Sequence, residues 1–254
     1  MLHKKVIKCL AIILLSILVN ACVSSNSSKS SLSNKEEAKL YLRMGVRYLE
    51  MDMLKIAKEN LETAESIDPN SATIHNSLGA LYERLKMFSD ARQQYQKAVA
   101  LDADDAAAKN NYGRFLCERG NYEEGMELLN EALALPLNNR KWFTYTNIGR
   151  CELRNGKKGL AEANFRKALQ ANKYFSPALF EMQKISYLSK KYMSARAFLE
   201  RYLSVATHNA STLWYAVQTE RALGNKKLAE SYMEKLNALF PTSKEAQQLK
   251  IKVK

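Results

Sequence analysis

The chain has 254 residues, 46% of them hydrophobic, with only nine Gly and four Pro. That is enough apolar material for a buried core and too few turn formers for a many-stranded β fold, so both a disordered polymer and an all-β domain are excluded. The formal charge is +13, and without the first 21 residues, where Lys4, Lys5 and Lys8 stand with no acid, 36 basic and 26 acidic side chains remain. These charges alternate in sign instead of forming a dense stripe, which argues against a nucleic-acid partner and for solvated helix surfaces.

Residues 1–8 are basic, and residues 9–19 form an apolar run, Cys9-Leu-Ala-Ile-Ile-Leu-Leu-Ser-Ile-Leu-Val19. The run is shorter than the roughly 20 residues a membrane-spanning helix needs, and reads as the n- and h-regions of a signal peptide covering 1–21. Val19-Asn20-Ala21-Cys22 resembles a bacterial lipobox, with Asn20 more polar than usual. Cys22 is therefore the expected lipidation site and mature N-terminus. Val23 is not the aspartate that, by resemblance to enteric lipoproteins, favours inner-membrane retention, so the expected location is the outer membrane, on its periplasmic face. Residues 22–37 read as the lipidated cysteine and a tether, with seven serines between Ser24 and Asn34.

Beyond the tether a period appears. Ala57, Ala91, Gly125, Ala161, Ala195 and Ala229 are spaced by 34, 34, 36, 34 and 34 residues, the period of the tetratricopeptide repeat (TPR). The expected fold is all-α, a superhelical solenoid of about six TPR units at 38–71, 72–105, 106–141, 142–175, 176–209 and 210–243, with a tail at 244–254. Gly45, Gly79, Gly113 and Gly149 stand where two helices are expected to approach at their crossing, with Tyr, Phe and Leu such as Tyr48, Tyr95, Leu129 and Phe165 at neighbouring positions to fill the space around it. Gln183 and Val217 replace that glycine in the last two units. The 36-residue spacing lengthens the linker around Pro136-Leu-Asn-Asn-Arg140. Ser71 is a cap candidate, as is Ser176, which precedes Pro177.

Nothing in the chain assembles a catalytic set. His3, His75 and His208 are scattered, no His/Cys group has metal-ligand spacing, and no Gly-rich phosphate loop occurs. The expectation is a non-enzyme with no cofactor, metal or small-molecule substrate. With Cys9 removed and Cys22 acylated, Cys117 and Cys151 remain, late in the first helices of adjacent units. In an oxidising periplasm they are expected to form a disulfide, the alternative being two buried apolar thiols.

In TPR proteins the inner face comes mainly from set positions of each first helix. Carried onto this chain they include Leu42, Val46 and Leu49, then Asn76 and Arg84, Asn110 and Arg114, and Arg150 and Arg154. The implied groove is apolar at one end and basic beyond. Asn can hydrogen-bond a peptide backbone and Arg can hold carboxylates.

The third unit reads Asn110-Asn-Tyr-Gly-Arg-Phe-Leu-Cys-Glu-Arg-Gly-Asn-Tyr122, and the fourth carries Ile148-Gly-Arg-Cys-Glu-Leu-Arg-Asn-Gly156. These stretches, with the lipobox and the longer third linker, resemble the PilF/PilW family of type IV pilus biogenesis lipoproteins. The resemblance implies a pilotin, which binds the type IV pilus secretin subunit and helps it reach the outer membrane and multimerise. An adaptor for outer-membrane protein insertion or for cell-wall enzymes is the alternative.

Overall fold

The computed structural model describes residues 33–251. Expectations about the signal peptide, Cys22 and most of the tether lie outside the described residues.

The described residues form thirteen helices and no strand. Twelve make six antiparallel pairs: α1 (Asn34–Glu50) with α2 (Leu54–Ile67), α3 (Ala72–Arg84) with α4 (Phe88–Leu101), α5 (Ala106–Glu118) with α6 (Tyr122–Ala134), α7 (Lys141–Arg154) with α8 (Lys158–Ala171), α9 (Ser176–Leu188) with α10 (Tyr192–Leu203), and α11 (Ala210–Ala222) with α12 (Lys226–Leu239). The thirteenth, α13 (Lys244–Ile251), packs against α11 and α12. Each second helix also packs on the first helix of the next pair. First helices touch the next first helices as well, whereas second helices make no comparable contact with one another, so the stack curls with its first helices inside.

The pairs close on small residues. A Cβ built on Gly79 would lie 2.6 Å from Cδ1 of Tyr95, and one on Gly45 would lie 2.5 Å from Cγ of Leu61. Ala57, Ala91, Ala161 and Ala195 sit at the matching positions of the second helices with no exposed surface. The third repeat has Gly125 there, and its absent Cβ would lie 2.7 Å from both Sγ of Cys117 and the Gly113 carbonyl oxygen. The cysteine thus takes the space that the alanine methyl fills elsewhere. Gln183 and Val217 are wholly buried at the substituted positions of the fifth and sixth repeats, and Gln183 donates from Nε2 to the Thr212 carbonyl at 3.3 Å.

Every turn between first and second helices has the same form. A residue with positive φ stands at Asp52, Lys86, Gly120, Gly156, Lys190 and Gly224. The next amide donates back to the carbonyl five residues earlier, as from Met53 to Tyr48, Lys157 to Glu152 and Lys191 to Ser186, at 2.8–2.9 Å. This is a Schellman closure, which satisfies a carbonyl that the helix end would otherwise leave free. Half of the six positions are glycine and half carry a side chain in a conformation that suits glycine.

Helix boundaries refine the sequence reading in four places. The first helix starts at Asn34, with the Ser33 hydroxyl accepting from the Glu36 amide, so 34–37 is helical and not tether. Ser71 occupies an N-cap but its side chain makes no capping bond, while Asp105 caps α5 by accepting from the Ala107 and Ala108 amides at 2.8 and 3.1 Å. The cap of α9 is Phe175, and Ser176 and Pro177 already lie inside the helix. Residues 244–251 are a helix and not a tail; Ala246 and Leu249 are buried against the sixth repeat and close the open end of the stack. The lengthened linker is pinned by the buried Asn138, whose Nδ2 donates to the Ala132 carbonyl at 2.8 Å and whose Oδ1 accepts from the Arg140 amide at 3.0 Å. That turn pushes Leu137 into solvent, 90% exposed.

The repeated turn makes a paired expectation. Gly156 has open space where a Cβ would stand, so Gly156→Ala should cost about 1 kcal/mol through backbone strain alone. Lys190→Gly should stabilise by up to about 1 kcal/mol, because strain relief exceeds the entropy glycine loses on folding. Urea unfolding of both variants checks this, and equal stability for all three proteins would contradict the shared turn geometry.

Candidate protein-binding groove

The inner face is laid out by α1, α3, α5, α7, α9 and α11. Leu42, Val46 and Leu49 lie on α1 as expected, but they are half-buried and pack against the core of the first repeats together with Tyr41 and Tyr48. Leu40 and Met44 are the more exposed apolar side chains of that helix, each at 37%. The first-repeat face is therefore an apolar shelf partly seated on the core, without a preceding helix among the described residues to cover it.

The polar positions knit the repeats together. The Asn111 amide donates to Asn76 Oδ1 at 3.0 Å, and the Asn147 amide donates to Asn110 Oδ1 at 3.2 Å. Arg84 is exposed and pairs with Asp52 of the previous turn. Arg114 grips Glu83 of α3 through both Nη1 and Nη2, at 2.7 and 2.6 Å, and also meets Glu118 at 3.1 Å. Arg150 donates from Nε to the buried Glu181 of α9 at 2.9 Å, and Lys184 meets the same carboxylate at 2.7 Å. Arg154 is exposed and makes no side-chain ion pair among the described residues.

The central face is thus not a row of free cations: Arg114 and Arg150 are neutralised by neighbouring first helices. Opposite charges meet 31 or 32 positions apart, as in Asp52–Arg84, Glu83–Arg114 and Arg150–Glu181. One period minus about three residues brings the end of one first helix beside the middle of the next, and a search at that spacing would have found Glu83 and Glu181. A second feature lies beyond the expected positions. Phe180, Tyr187, Trp214 and Tyr215 form a partly exposed aromatic cluster on α9 and α11, with Tyr187 and Tyr215 ring centroids 5.5 Å apart.

The Glu83–Arg114 pair is largely enclosed. Burial pushes the Glu83 carboxyl up, but the hydrogen bonds and charge of Arg114, with the Tyr95 hydroxyl donating at 3.1 Å, outweigh it and hold the carboxyl below its ordinary 4.5. Burial raises the Tyr95 hydroxyl, which stays a donor at any physiological pH.

Cys117 on α5 and Cys151 on α7 face each other with Cα atoms 5.2 Å apart, inside the span that a disulfide bridges. Both side chains are buried, at 3% and 1% exposure. Between the loop that joins α4 to α5 and the long linker opens a cleft of about 530 Å³, lined by Asp102, Asp105, Asn110, Asn138, Arg140 and Phe143. Among the described residues no three His, Cys, Asp or Glu side chains converge as metal ligands, and no helix is long and apolar enough to cross a membrane. His75 is wholly buried, with its ring nitrogens 2.6 Å from Gln94 Oε1 and 2.8 Å from the Pro69 carbonyl. His208 lies in the loop before α11.

Stacked helix pairs with a 34-residue period and an inward-facing row of first helices define a TPR scaffold, and tetratricopeptide repeat models match residues 42–105, 84–142 and 144–175. The type IV pilus assembly protein PilF of Pseudomonas aeruginosa is 29% identical over 240 residues, 93% of this chain and 95% of that protein. A solved structure from a functional characterisation of Pseudomonas aeruginosa PilF superposes with a TM-score of 0.71 at 30% identity, covering 86% of this chain and 99% of that one. The crystal structure of PilW, described as a widely conserved type IV pilus biogenesis factor, superposes at 0.72 with 29% identity over 84% of this chain and 97% of that one. The chain belongs to the PilF/PilW family of TPR proteins.

The lowered Glu83 value fixes a sign. A carboxyl held below its unfolded value contributes stability that is complete above about pH 4.5 and is lost as pH falls through the lowered folded value. Glu83→Gln should cost about 1–3 kcal/mol at pH 7, by leaving Arg114 short of a partner in a partly buried site. It should also flatten the loss of stability below pH 4.5. Urea midpoints from pH 7 to 3 check both, and an unchanged acid slope would show that Glu83 is not held low.

Proposed function

We propose that this chain is a non-catalytic outer-membrane lipoprotein of type IV pilus biogenesis, a pilotin that grips the pilus secretin subunit and promotes its outer-membrane localisation and multimerisation. The observation that carries this reading is the near end-to-end similarity to PilF, over 93% of this chain and 95% of that protein. Lipidation at Cys22, after the apolar run and a small residue, supplies the anchor on the periplasmic face. A double acyl anchor is durable because each buried methylene contributes about 0.8 kcal/mol.

The grip falls on the first-repeat shelf. Leu42, Val46 and Leu49, with the more exposed Leu40 and Met44, offer an apolar strip on a terminal first helix, and exposed apolar strips mark binding surfaces. Asn76, Arg84, Asn110 and Arg154 are the polar positions best placed to continue the contact along the inner face. Arg114 and Arg150 hold the groove's shape through their inter-repeat pairs and contribute less directly to a ligand. Cys117 and Cys151 form a disulfide that fastens the third repeat to the fourth.

Deleting the protein should leave secretin monomers made but not assembled into the heat- and detergent-resistant multimer, with surface pili lost as a result. Replacing Leu42, Val46 and Leu49 together by Ser should reproduce part of that defect in a lipidated protein of native helicity, and Cys22→Ser should abolish acyl labelling. Normal multimers in a clean deletion strain would overturn the pilotin reading, and loss of unrelated outer-membrane β-barrels would point to an insertion adaptor instead.

The bridge has its own test. Protein folded in the periplasm and denatured without reductant should show no free thiol from Cys117 or Cys151. Reduction should cost about 3–4 kcal/mol in the chain-entropy treatment of a 34-residue loop. Two reactive thiols would refute it.

A further inference from the structure

Charge is unevenly divided along this chain. Residues 22–141 carry 16 basic and 18 acidic side chains, whereas residues 142–254 carry 20 and 8. The surplus gathers at the turns between first and second helices of the last three repeats, where Lys157 and Lys158, Lys190 and Lys191, and Lys226 and Lys227 follow or occupy the positive-φ position. The same windows of the first three repeats, 52–55, 86–89 and 120–123, hold a single lysine each in repeats one and two, Lys55 and Lys86, none in repeat three, and acids at Asp52 and Glu123.

All six lysines are exposed, and none makes an ion pair among the described residues. Glu162, the acid beside Lys158 and Lys191, is already held by Arg166 at 2.7 Å. The pairs stand within three residues of the positive-φ position, one and two residues past Gly156, at and one past Lys190, and two and three past Gly224, so all three leave the same turn though not in one register. Contacts between neighbouring repeats bring the turns together along one edge: Tyr122 Oη donates to the Arg154 carbonyl at 3.3 Å between repeats three and four, Glu162 feels the charge of both Lys158 and Lys191, and Arg196 Nε of α10 donates to Glu220 of α11 at 2.8 Å. With contacting first helices roughly 10 Å apart, the row is on the order of 20 Å long.

Four exposed apolar side chains stand in the same row: Leu160 at 54%, Leu188 at 56%, Met193 at 64% and Leu228 at 40%. Only the sixth-repeat end of the row, Lys226, Lys227 and Leu228, borders a cleft, and the row's charges are lysines, compact ammonium groups that meet phosphates as point charges. An acidic peptide would be better gripped by the bidentate fork of arginine in a concavity. Lysines alternating with protruding Leu and Met match an anionic bilayer interface.

We propose that the first-to-second-helix turns of repeats four to six form a membrane-docking edge, which seats the C-terminal half of the solenoid on an anionic phospholipid surface. The six lysines face headgroup phosphates, and Leu160, Leu188, Met193 and Leu228 enter the interface. This surface lies apart from the first-repeat shelf, so its role does not depend on the secretin reading.

The test uses the full chain carrying Leu188→Cys labelled with the environment-sensitive fluorophore NBD, with the parental chain treated identically as background. Cys117 and Cys151 are buried and add little label. Because the probe reads its local surroundings, it reports this edge whether or not an acyl anchor holds the chain. Vesicles of phosphatidylethanolamine with roughly a third phosphatidylglycerol should blue-shift the emission and raise it at least about twofold, while phosphatidylcholine vesicles should not. About 0.5 M NaCl should reverse the change, since the screening length there is on the order of 4 Å. Lys158, Lys191 and Lys227 replaced together by Gln should raise the lipid concentration at half-change on the order of fivefold per lysine, with helicity unchanged. A probe at Leu137→Cys, in the linker at the opposite ends of the helices, should stay silent. The proposal is overturned by equal emission on both vesicle types, by insensitivity to the lysine changes, by an equal response at position 137, or by a response to soluble polyglutamate with none to the anionic vesicles.

Discussion

The architecture depends on how closely the two helices of a pair can approach. Gly79 lies so near Tyr95 that a single methyl would meet its ring at 2.6 Å, and the fully buried Ala91 stands at the matching place on the partner helix. Small residues on both sides let the backbones close, and the large side chains around them, Leu61, Tyr95, Leu129 and Phe165, fill what remains with no exposed surface. An added methylene at such a crossing would cost about 1–3 kcal/mol through forced rotamers. The same constraint couples the third repeat's unusual Gly125 to Cys117: sulfur and methyl compete for one space, so a cysteine at 117 requires the glycine.

From that crossing the stack propagates by nearest neighbours, as in other repeat proteins. Its buried apolar groups fall into four clusters. One spans the first three repeats, one the fourth and fifth, and one the sixth repeat and α13, while a small cluster of Cys117, Leu129, Ile148 and Cys151 links the first two of these. The cysteines thus sit at the junction where the 36-residue spacing interrupts the 34-residue register. A covalent link there would couple two cooperative blocks across the place where the repeat geometry is least regular.

What the sequence revealed and what it hid follow from the range of each interaction. Helix pairing is local and periodic, so Gly45, Gly79, Gly113 and Gly149 announced it, as did the recurrent alanines. Caps are local but interchangeable: at α9 the cap fell on Phe175, one residue before Ser176, because Pro177 fits either of the first two helical positions. Pairings between repeats depend on which side chains a superhelix brings together. The Glu83 grip on Arg114 and the Glu181 grip on Arg150 therefore changed the reading of two groove arginines from free cations to inter-repeat fasteners. The aromatic cluster of α9 and α11 is hidden for a related reason: Phe180 and Tyr187 meet Trp214 and Tyr215 only across two repeats, where Gln183 and Val217 also replace the glycine that marks the helix crossing. Helix α13 was missed because eight residues give too few turns for a period to show.

The distribution of charge separates what folding needs from what it leaves free. On the inner face the cations are spent structurally: Arg114 and Arg150 meet carboxylates of adjacent first helices at 2.6 and 2.9 Å. At the turns of repeats four to six no carboxylate among the described residues forms an ion pair with the lysines, Glu162 beside Lys158 and Lys191 being held by Arg166, and the fold asks nothing of those side chains beyond the backbone closure behind them. Six like charges along an edge on the order of 20 Å long repel one another, a cost that neutral residues at the same sites would avoid, as Met87 and Asn121 do in the earlier repeats. A feature that destabilises slightly and packs nothing is better explained by a ligand than by the fold, and an unpaired row of lysines beside protruding Leu and Met narrows that ligand to an extended anionic surface.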